Sequence, residues 1–167
     1  MRILFLIFFC LFFFIFYEGL KKDPKEIPSN LISKKIPEFN LKGFNSSEMT
    51  NYDLYKSEIK IINFFASWCP PCQIEHEQLM HLSKKNSVFG IAKKNQLDEL
   101  SSWLKRLGNP YTKIGMDLEG DVSIDWGVYG LPETFIVDEE GIIKYKHVGP
   151  IMKRDLKELE SVIKNLR

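Results

Sequence analysis

Two cysteines separated by two prolines, in the sequence WCPPC, are the residues of this chain best suited to chemistry. They follow an apolar run typical of a buried strand and precede a segment with helical spacing. Unpaired N–H groups and the helix dipole stabilise a thiolate at a helix start, where Pro70 and Pro71 are also tolerated. We therefore predict that Cys69 is an accessible nucleophile and that Cys72, one turn deeper, resolves the mixed disulfide.

The same spacing occurs in other kinds of site. A c-type haem attachment needs a histidine directly after the second cysteine, and Gln73 stands there instead. Zinc or copper could use Cys69, Cys72 and His76, although the sequence offers no obvious fourth ligand. An inert disulfide across a two-residue loop would add little entropic stabilisation. Redox activity therefore explains the pair best, and no metal or other cofactor is predicted.

Two neighbours of the cysteines have candidate roles. Glu75 lies three residues after Cys72 on the apolar stripe of the predicted helix, where partial desolvation would raise the pKa of its carboxyl. It could accept the proton that Cys72 loses when it attacks, and a solvated carboxylate on the helix surface is the alternative. Trp68 could form part of the surface beside Cys69, with packing in the core as its alternative.

Strands and helices alternate along the rest of the chain. Apolar runs predict strands at 59–66, 87–92, 134–137 and 142–148, with an edge strand beginning at 36–39. Spacing of 3.6 residues predicts helices at 70–85, 95–107 and 153–166. Residues 114–116 lead into a loop or short helix that contains Val122, Ile124 and Trp126. The order β-α-β-α-β-β-α implies an α/β fold with a mixed central sheet and helices on both faces. Pro132, just before a strand, suits a cis proline.

The first residues form a separate apolar segment. Every residue of 1–17 except Arg2 is hydrophobic, and no small-residue cleavage pattern follows. We therefore favour an uncleaved transmembrane anchor at 1–20 over a signal peptide, a polar tether at 21–35 and one folded domain at 36–167. Lysines at 21, 22 and 25 disfavour export of the domain by the positive-inside rule. The redox chemistry argues for export, and we give it more weight.

Charge and cysteine content exclude several function classes. The 167 residues include 23 Lys and Arg against 22 Asp and Glu, so the net charge of +1 gives no basic surface for nucleic acid. Three cysteines are too few for a disulfide scaffold, and the sequence lacks a Cys and His quartet for a structural zinc site.

Three segments of the chain resemble a known family. WCPPCQIEH (68–76), SWLKRLGNPY (102–111) and DWGVYGLPETFIVDEEGIIKYKHVG (125–149) are similar to the CcmG/DsbE family, the membrane-tethered thiol:disulfide interchange proteins of cytochrome c biogenesis. The resemblance covers residues 36–152. It implies a thioredoxin-like fold and a protein disulfide reductase on the periplasmic side of the cell inner membrane.

The resemblance also implies partners. The reductase would act on apocytochrome c, or on a thiol protein of the cytochrome c maturation system, so that haem can be attached. Its electrons would come from a membrane thiol transporter. A general extracytoplasmic reductase of the TlpA/ResA kind is the alternative, and a metal-binding chaperone is a more distant one.

Residue roles carried over from the family are expectations of the same kind. Cys69 and Cys72 would form the redox-active disulfide, with Pro132 as the cis proline facing it. Leu131 would offer its backbone to bound substrate, and Glu75 and Glu133 would match acidic positions near the active site. Thioredoxin has a buried aspartate where this chain has Asn63, so proton transfer needs another group, which favours Glu75.

Overall fold

The computed structural model describes residues 2–20, 30–55 and 58–167. The first helix, α1, spans Arg2–Leu20, and its large apolar side chains from Leu4 to Leu20 are exposed. Across the described ranges, no helix combines the length and the apolarity needed to cross a membrane. Most of the predicted tether, residues 21–29, lies outside the described residues.

A seven-stranded sheet forms the centre of the domain. In sheet order its strands are β2 (Met49–Thr50), β1 (Asn40–Gly43), β5 (Lys113–Asp117), β4 (Ser87–Lys93), β3 (Lys60–Phe65), β6 (Glu133–Val137) and β7 (Ile143–Val148). Neighbours β3, β4 and β5 run parallel, and the other pairs run antiparallel. The helices are α2 (Pro70–Leu82), α3 (Leu97–Leu107), α4 (Asp121–Asp125) and α5 (Leu156–Leu166), with a 3-10 turn at Asn51–Leu54. The predicted mixed sheet flanked by helices is therefore confirmed.

Both faces of β3 are covered, which explains its unbroken apolar sequence. Ile61 and Phe65 lie in one buried cluster with side chains of α2, α3 and α5. Ile62 and Phe64 lie in a second cluster on the other face, with side chains of α4 and of the segment before β1. Successive side chains of a strand point to opposite faces, so a strand covered on both sides is apolar throughout.

Two parts of the sheet differ from the prediction. Residues 36–39 are buried in part but are not a strand, and β1 begins only at Asn40. Residues 114–116, predicted only to lead into a loop or short helix, belong to β5, a strand that pairs with both β1 and β4, while the short helix itself is present as α4. Gly115 obscured this strand because glycine is depleted in strands. Here a Cβ at Gly115 would lie 2.8 Å from Leu41 Cδ1 and 3.1 Å from Leu41 Cβ, so a larger residue would require the Leu41 side chain to shift.

Candidate active site

The two cysteines of the WCPPC sequence lie where β3 gives way to α2. Cys69 is the N-cap residue of α2, with extended backbone at φ −89° and ψ 111°, and Pro70 and Pro71 occupy the first turn. Cys69 and Cys72 form a disulfide with their Cα atoms 5.3 Å apart. In this oxidised form only 3% of Cys69 is exposed, so the accessibility predicted for Cys69 is not seen here. The backbone N–H of Cys72 donates to Cys69 Sγ over 3.3 Å. The same N–H would stabilise negative charge on this sulfur after reduction.

Loop contacts hold the residues before Cys69. Ser67 donates its backbone N–H to Asn95 Oδ1 over 2.7 Å, and Asn95 Nδ2 donates to Ser67 Oγ over 2.8 Å. Trp68 Nε1 donates to the carbonyl of Lys94 over 3.0 Å, while 54% of Trp68 is exposed. Trp68 therefore lies on the surface beside Cys69, and its alternative of core packing is wrong. Nothing in the local sequence pointed to Asn95.

The carboxyl of Glu75 is completely buried. The alternative prediction, that Glu75 is a solvated carboxylate on the helix surface, is therefore wrong. Asn63 Nδ2 donates to Oε1 over 2.8 Å, and the backbone N–H of Ile151 donates to Oε2 over 2.9 Å. Burial raises the pKa of Glu75 to about 8, although both hydrogen bonds act in the lowering direction. At neutral pH this carboxyl is therefore mostly protonated, one helical turn beyond Cys72.

Asn63 links Glu75 to two further buried side chains. The hydroxyl of Tyr111 donates to Asn63 Oδ1 over 2.9 Å, and Asn63 Nδ2 also donates to Thr134 Oγ1 over 3.0 Å. Burial, with a smaller contribution from the charge of Glu75, raises the pKa of Tyr111 well above its usual value. Sequence reasoning missed Tyr111 and Thr134. The one available signal was Asn63 itself, a polar residue inside an apolar strand that must find buried partners.

The proline before β6 lies at the same edge of the sheet as the cysteines. The Leu131–Pro132 peptide bond is cis. Glu133 is in register with Phe64 near the end of β3, from which the chain continues to Cys69. Leu131 is partly buried and packs against both core clusters.

Glu133 is buried, and its carboxylate organises the loop before the cis bond. Oε1 accepts the backbone N–H groups of Tyr129 and Gly130 over 3.0 and 3.3 Å. Oε2 lies 2.8 Å from Lys146 Nζ, which also donates to the carbonyl of Gly127. Sequence reasoning did not identify Lys146, because the ion pair joins residues on two strands. Glu133 is therefore an ion-paired group that holds the loop.

His76 has local partners in the core. Its Nε2 lies 3.1 Å from the carbonyl oxygen of Gly108, and its ring meets the Trp103 ring edge-on at a centroid distance of 4.4 Å. Burial lowers the pKa of His76. Among the residues that the structure describes, no three His, Cys, Asp or Glu side chains are grouped so that they could hold a metal ion. The alternative metal site of Cys69, Cys72 and His76 thus has no geometric support.

Comparison with known proteins agrees with this geometry. The family model described as Redoxin matches residues 32–163. The thiol:disulfide interchange protein DsbE of Allochromatium vinosum is 44% identical over 148 residues, which cover 87% of this chain and 81% of that protein. DsbE of Escherichia coli K12 is 40% identical over 135 residues, covering 79% of this chain and 73% of that protein.

A solved structure shows the same fold. The crystal structure of a DsbF homologue from Corynebacterium diphtheriae matches with a TM-score of 0.72 and 19% identity, over 87% of this chain and 95% of that chain. The predicted thioredoxin-like architecture is thereby confirmed. The chain belongs to the Redoxin family and, within it, to the DsbE thiol:disulfide interchange proteins.

Proposed function

We propose that this protein is a dithiol reductase of cytochrome c maturation, acting on apocytochrome c or on a thiol protein of that system. The observation that carries the proposal is the Cys69–Cys72 disulfide at the start of α2, in a chain of the DsbE group whose Leu131–Pro132 bond is cis. A reversible disulfide between neighbouring cysteines at a helix start is the arrangement that thiol exchange requires.

The reaction proceeds in two exchange steps. In the reduced protein the Cys69 thiolate attacks one sulfur of the client disulfide, and the other client sulfur leaves and takes up a proton. Cys72 then loses its proton and attacks Cys69 Sγ, which releases the second client thiol and forms the Cys69–Cys72 disulfide. Two electrons pass to the client. One of the two protons on the client thiols replaces the one that Cys72 lost, and the other comes from water, because Cys69 enters the reaction as a thiolate. A membrane thiol transporter returns the protein to the dithiol state by the reverse exchange.

Glu75 is proposed as the base that takes the proton of Cys72, in those molecules in which its carboxyl is ionised. It lies one turn along α2 from Cys72, is shielded from water, and has a pKa of about 8. A free thiol has a pKa of about 8.5, so a proton passes between the two groups at little cost in free energy. Asn63 and Ile151 donate to the carboxylate and keep it in place.

The remaining site residues are proposed to bind the client. Pro132 and Leu131 would face the disulfide and offer backbone for an extended client segment. The exposed ring of Trp68 would give that segment an apolar contact beside Cys69. Glu133 would act indirectly, by holding the loop from Gly127 to Gly130.

Helix α1 is proposed to anchor the protein in the cell inner membrane, with the domain on the periplasmic side. Residues 3–17 carry no charge, and exposed apolar side chains occur from Leu4 to Leu20. Such a surface favours an apolar environment over water. A periplasmic domain would meet client disulfides, which persist in oxidising compartments.

Trapping of the mixed disulfide tests the client and the compartment together. In a Cys72→Ser variant the first exchange proceeds and the second cannot, so Cys69 stays joined to its client. With Cys10 also replaced by serine, we expect a reductant-sensitive adduct in the membrane fraction that contains apocytochrome c or a maturation thiol protein. The matched control also carries Cys69→Ser and should trap nothing. Adducts free of cytochrome c and its maturation proteins would favour a general extracytoplasmic reductase instead.

A further inference from the structure

Four buried polar side chains lie between β3, α2, β6 and the segment before β5. Glu75, Asn63 and Thr134 are fully buried, and 6% of Tyr111 is exposed. Their hydrogen bonds run in one direction, from the Tyr111 hydroxyl to Asn63 Oδ1 and from Asn63 Nδ2 to both Glu75 Oε1 and Thr134 Oγ1. Tyr111 is thus linked to the carboxyl of Glu75 through the side chain of Asn63.

The two ends of the Asn63 amide have opposite effects on Glu75. The nitrogen end donates, which favours the ionised carboxylate. The oxygen end would face a carboxylate with repulsion and would accept a hydrogen bond from the protonated acid alone. In the structure the Tyr111 hydroxyl occupies the oxygen end, so the nitrogen end faces Glu75. A donor at one end of an amide also strengthens donation at its other end.

We propose that Tyr111 is a positioning residue, whose phenol holds the amide nitrogen of Asn63 toward Glu75 and so favours the ionised carboxylate over the protonated acid. The inference rests on the proposed function, because Glu75 matters as the base for Cys72. Loss of the phenol hydroxyl would leave Asn63 Oδ1 without this buried donor. Whether the amide then stays or turns over, Glu75 loses donation and holds its proton more tightly.

The other groups around Glu75 do not provide this effect. Ile151 contributes a backbone N–H, which a change at Tyr111 does not alter. Glu133 and its partner Lys146 lie on the opposite face of the sheet from Thr134, since neighbouring residues of β6 alternate. Titratable side chains on this side of the sheet are Cys72 and His76 on α2, Tyr111 before β5, and His147 on β7, which is in register with Thr134. Glu77 and His81 of α2 are exposed, and Lys60 of β3 lies on the opposite face of the strand from Asn63.

In the oxidised protein the titration of Glu75 can be distinguished from any titration of these neighbours. Cys72 is then in its disulfide and has no thiol to ionise. Burial lowers the pKa of His76, so it is neutral where Glu75 titrates. His147 Nε2 has other partners, since it lies 3.5 Å from the carbonyl oxygen of Pro150 and 3.9 Å from a carboxylate oxygen of Asp155.

The experiment follows the carbon-13 signal of the Glu75 carboxyl during pH titration of the oxidised full-length protein. Tyr111→Phe should raise the titration midpoint by roughly half a unit to one unit, the size expected from one hydrogen bond. In an Asn63→Ala background the same change should add nothing, because Tyr111 acts through Asn63. Tyr145→Phe is the matched control. It removes a hydroxyl that donates to Glu158 over 2.9 Å at the surface, and should leave the midpoint in place.

An unchanged midpoint in Tyr111→Phe, together with a lower free energy of unfolding, would mean a structural role alone and would overturn the inference. If the Tyr111→Phe variant does not fold, a measurement on the unmodified protein tests the inference. The side-chain amide signals of Asn63 must then shift with the same midpoint as Glu75, and constant signals would also overturn it. Failure of the reduced protein to exchange disulfides would instead refute the proposed function, and would leave the comparison of midpoints in the oxidised protein intact.

Discussion

Replacement of Cys69 by serine is expected to reduce disulfide exchange to the uncatalysed background. The attacking species is a thiolate, and a serine hydroxyl stays protonated in the same place. The helix should survive, because serine is a preferred N-cap residue and its oxygen can accept the N–H of Cys72 that Cys69 Sγ accepts now. Loss of activity would then report the missing sulfur and not a misfolded α2.

The measurement is the rate at which the reduced protein reduces a disulfide-bonded peptide that contains a haem-attachment CxxCH sequence. Cys10→Ser is the control for the remaining cysteine and should keep the full rate, since Cys10 lies in α1 outside the domain. Circular dichroism of Cys69→Ser should match that of the unmodified protein. A Cys69→Ser variant that folds and keeps more than a small residue of activity would refute the role of Cys69 as nucleophile.

Replacement of Glu75 by glutamine is expected to change how stability depends on pH. Burial raises the pKa of Glu75 from its usual 4.5 to about 8 in the folded protein. The folded state therefore binds a proton more tightly than the unfolded state does. The stabilisation is fully present below about pH 4.5 and is lost as the pH rises through about 8. Between these values the free energy of unfolding should fall by about 1.4 kcal/mol per pH unit from this group.

Denaturant unfolding of the oxidised protein across this pH range gives the measurement. Glu75→Gln should remove this decrease in the free energy of unfolding with pH. His76 contributes equally in both proteins, so its contribution cancels when they are compared. Glu77→Gln is the matched control, because Glu77 is an exposed residue of the same helix. In the reduced protein Glu75→Gln should also slow the attack of Cys72 by about a hundredfold at pH 8, the low end for a general base. Parallel stability curves for the two proteins would show that Glu75 has no raised pKa.

Local patterns were sufficient to predict the elements whose periodicity reflects burial. The apolar sequence of β3 and the helical spacing of α3 and α5 are direct consequences of which faces are covered. The short pair of β1 and β2 and the strand β5 were not predictable in this way. Gly115 makes β5 a poor strand on its own, and its place is decided by its contacts with Leu41 and Met49 on strands distant in sequence.

The same distinction between local pattern and long-range contact applies to the residues of the candidate site. The WCPPC sequence, Glu75 and Pro132 could be found from spacing or from the family resemblance. The partners of these residues could not, because each is joined by a contact between distant segments. Tyr111 lies 48 residues from Asn63, and Ile151 lies 76 residues from Glu75. Buried polar groups must satisfy each other's hydrogen bonds, and bonds between distant segments leave no periodic pattern in the sequence.

Ionisation of Cys69 in the reduced protein tests the central claim most directly. Thiolate absorbance of a variant carrying Cys10→Ser and Cys72→Ser reports Cys69 alone, with Cys69→Ser in the same background as the blank. We expect a Cys69 pKa clearly below the value of about 8.5 for a free thiol, because the N-terminal amides of α2 stabilise the thiolate. A pKa at or above that value would contradict the account, since the thiol would then have no advantage over any cysteine in solution.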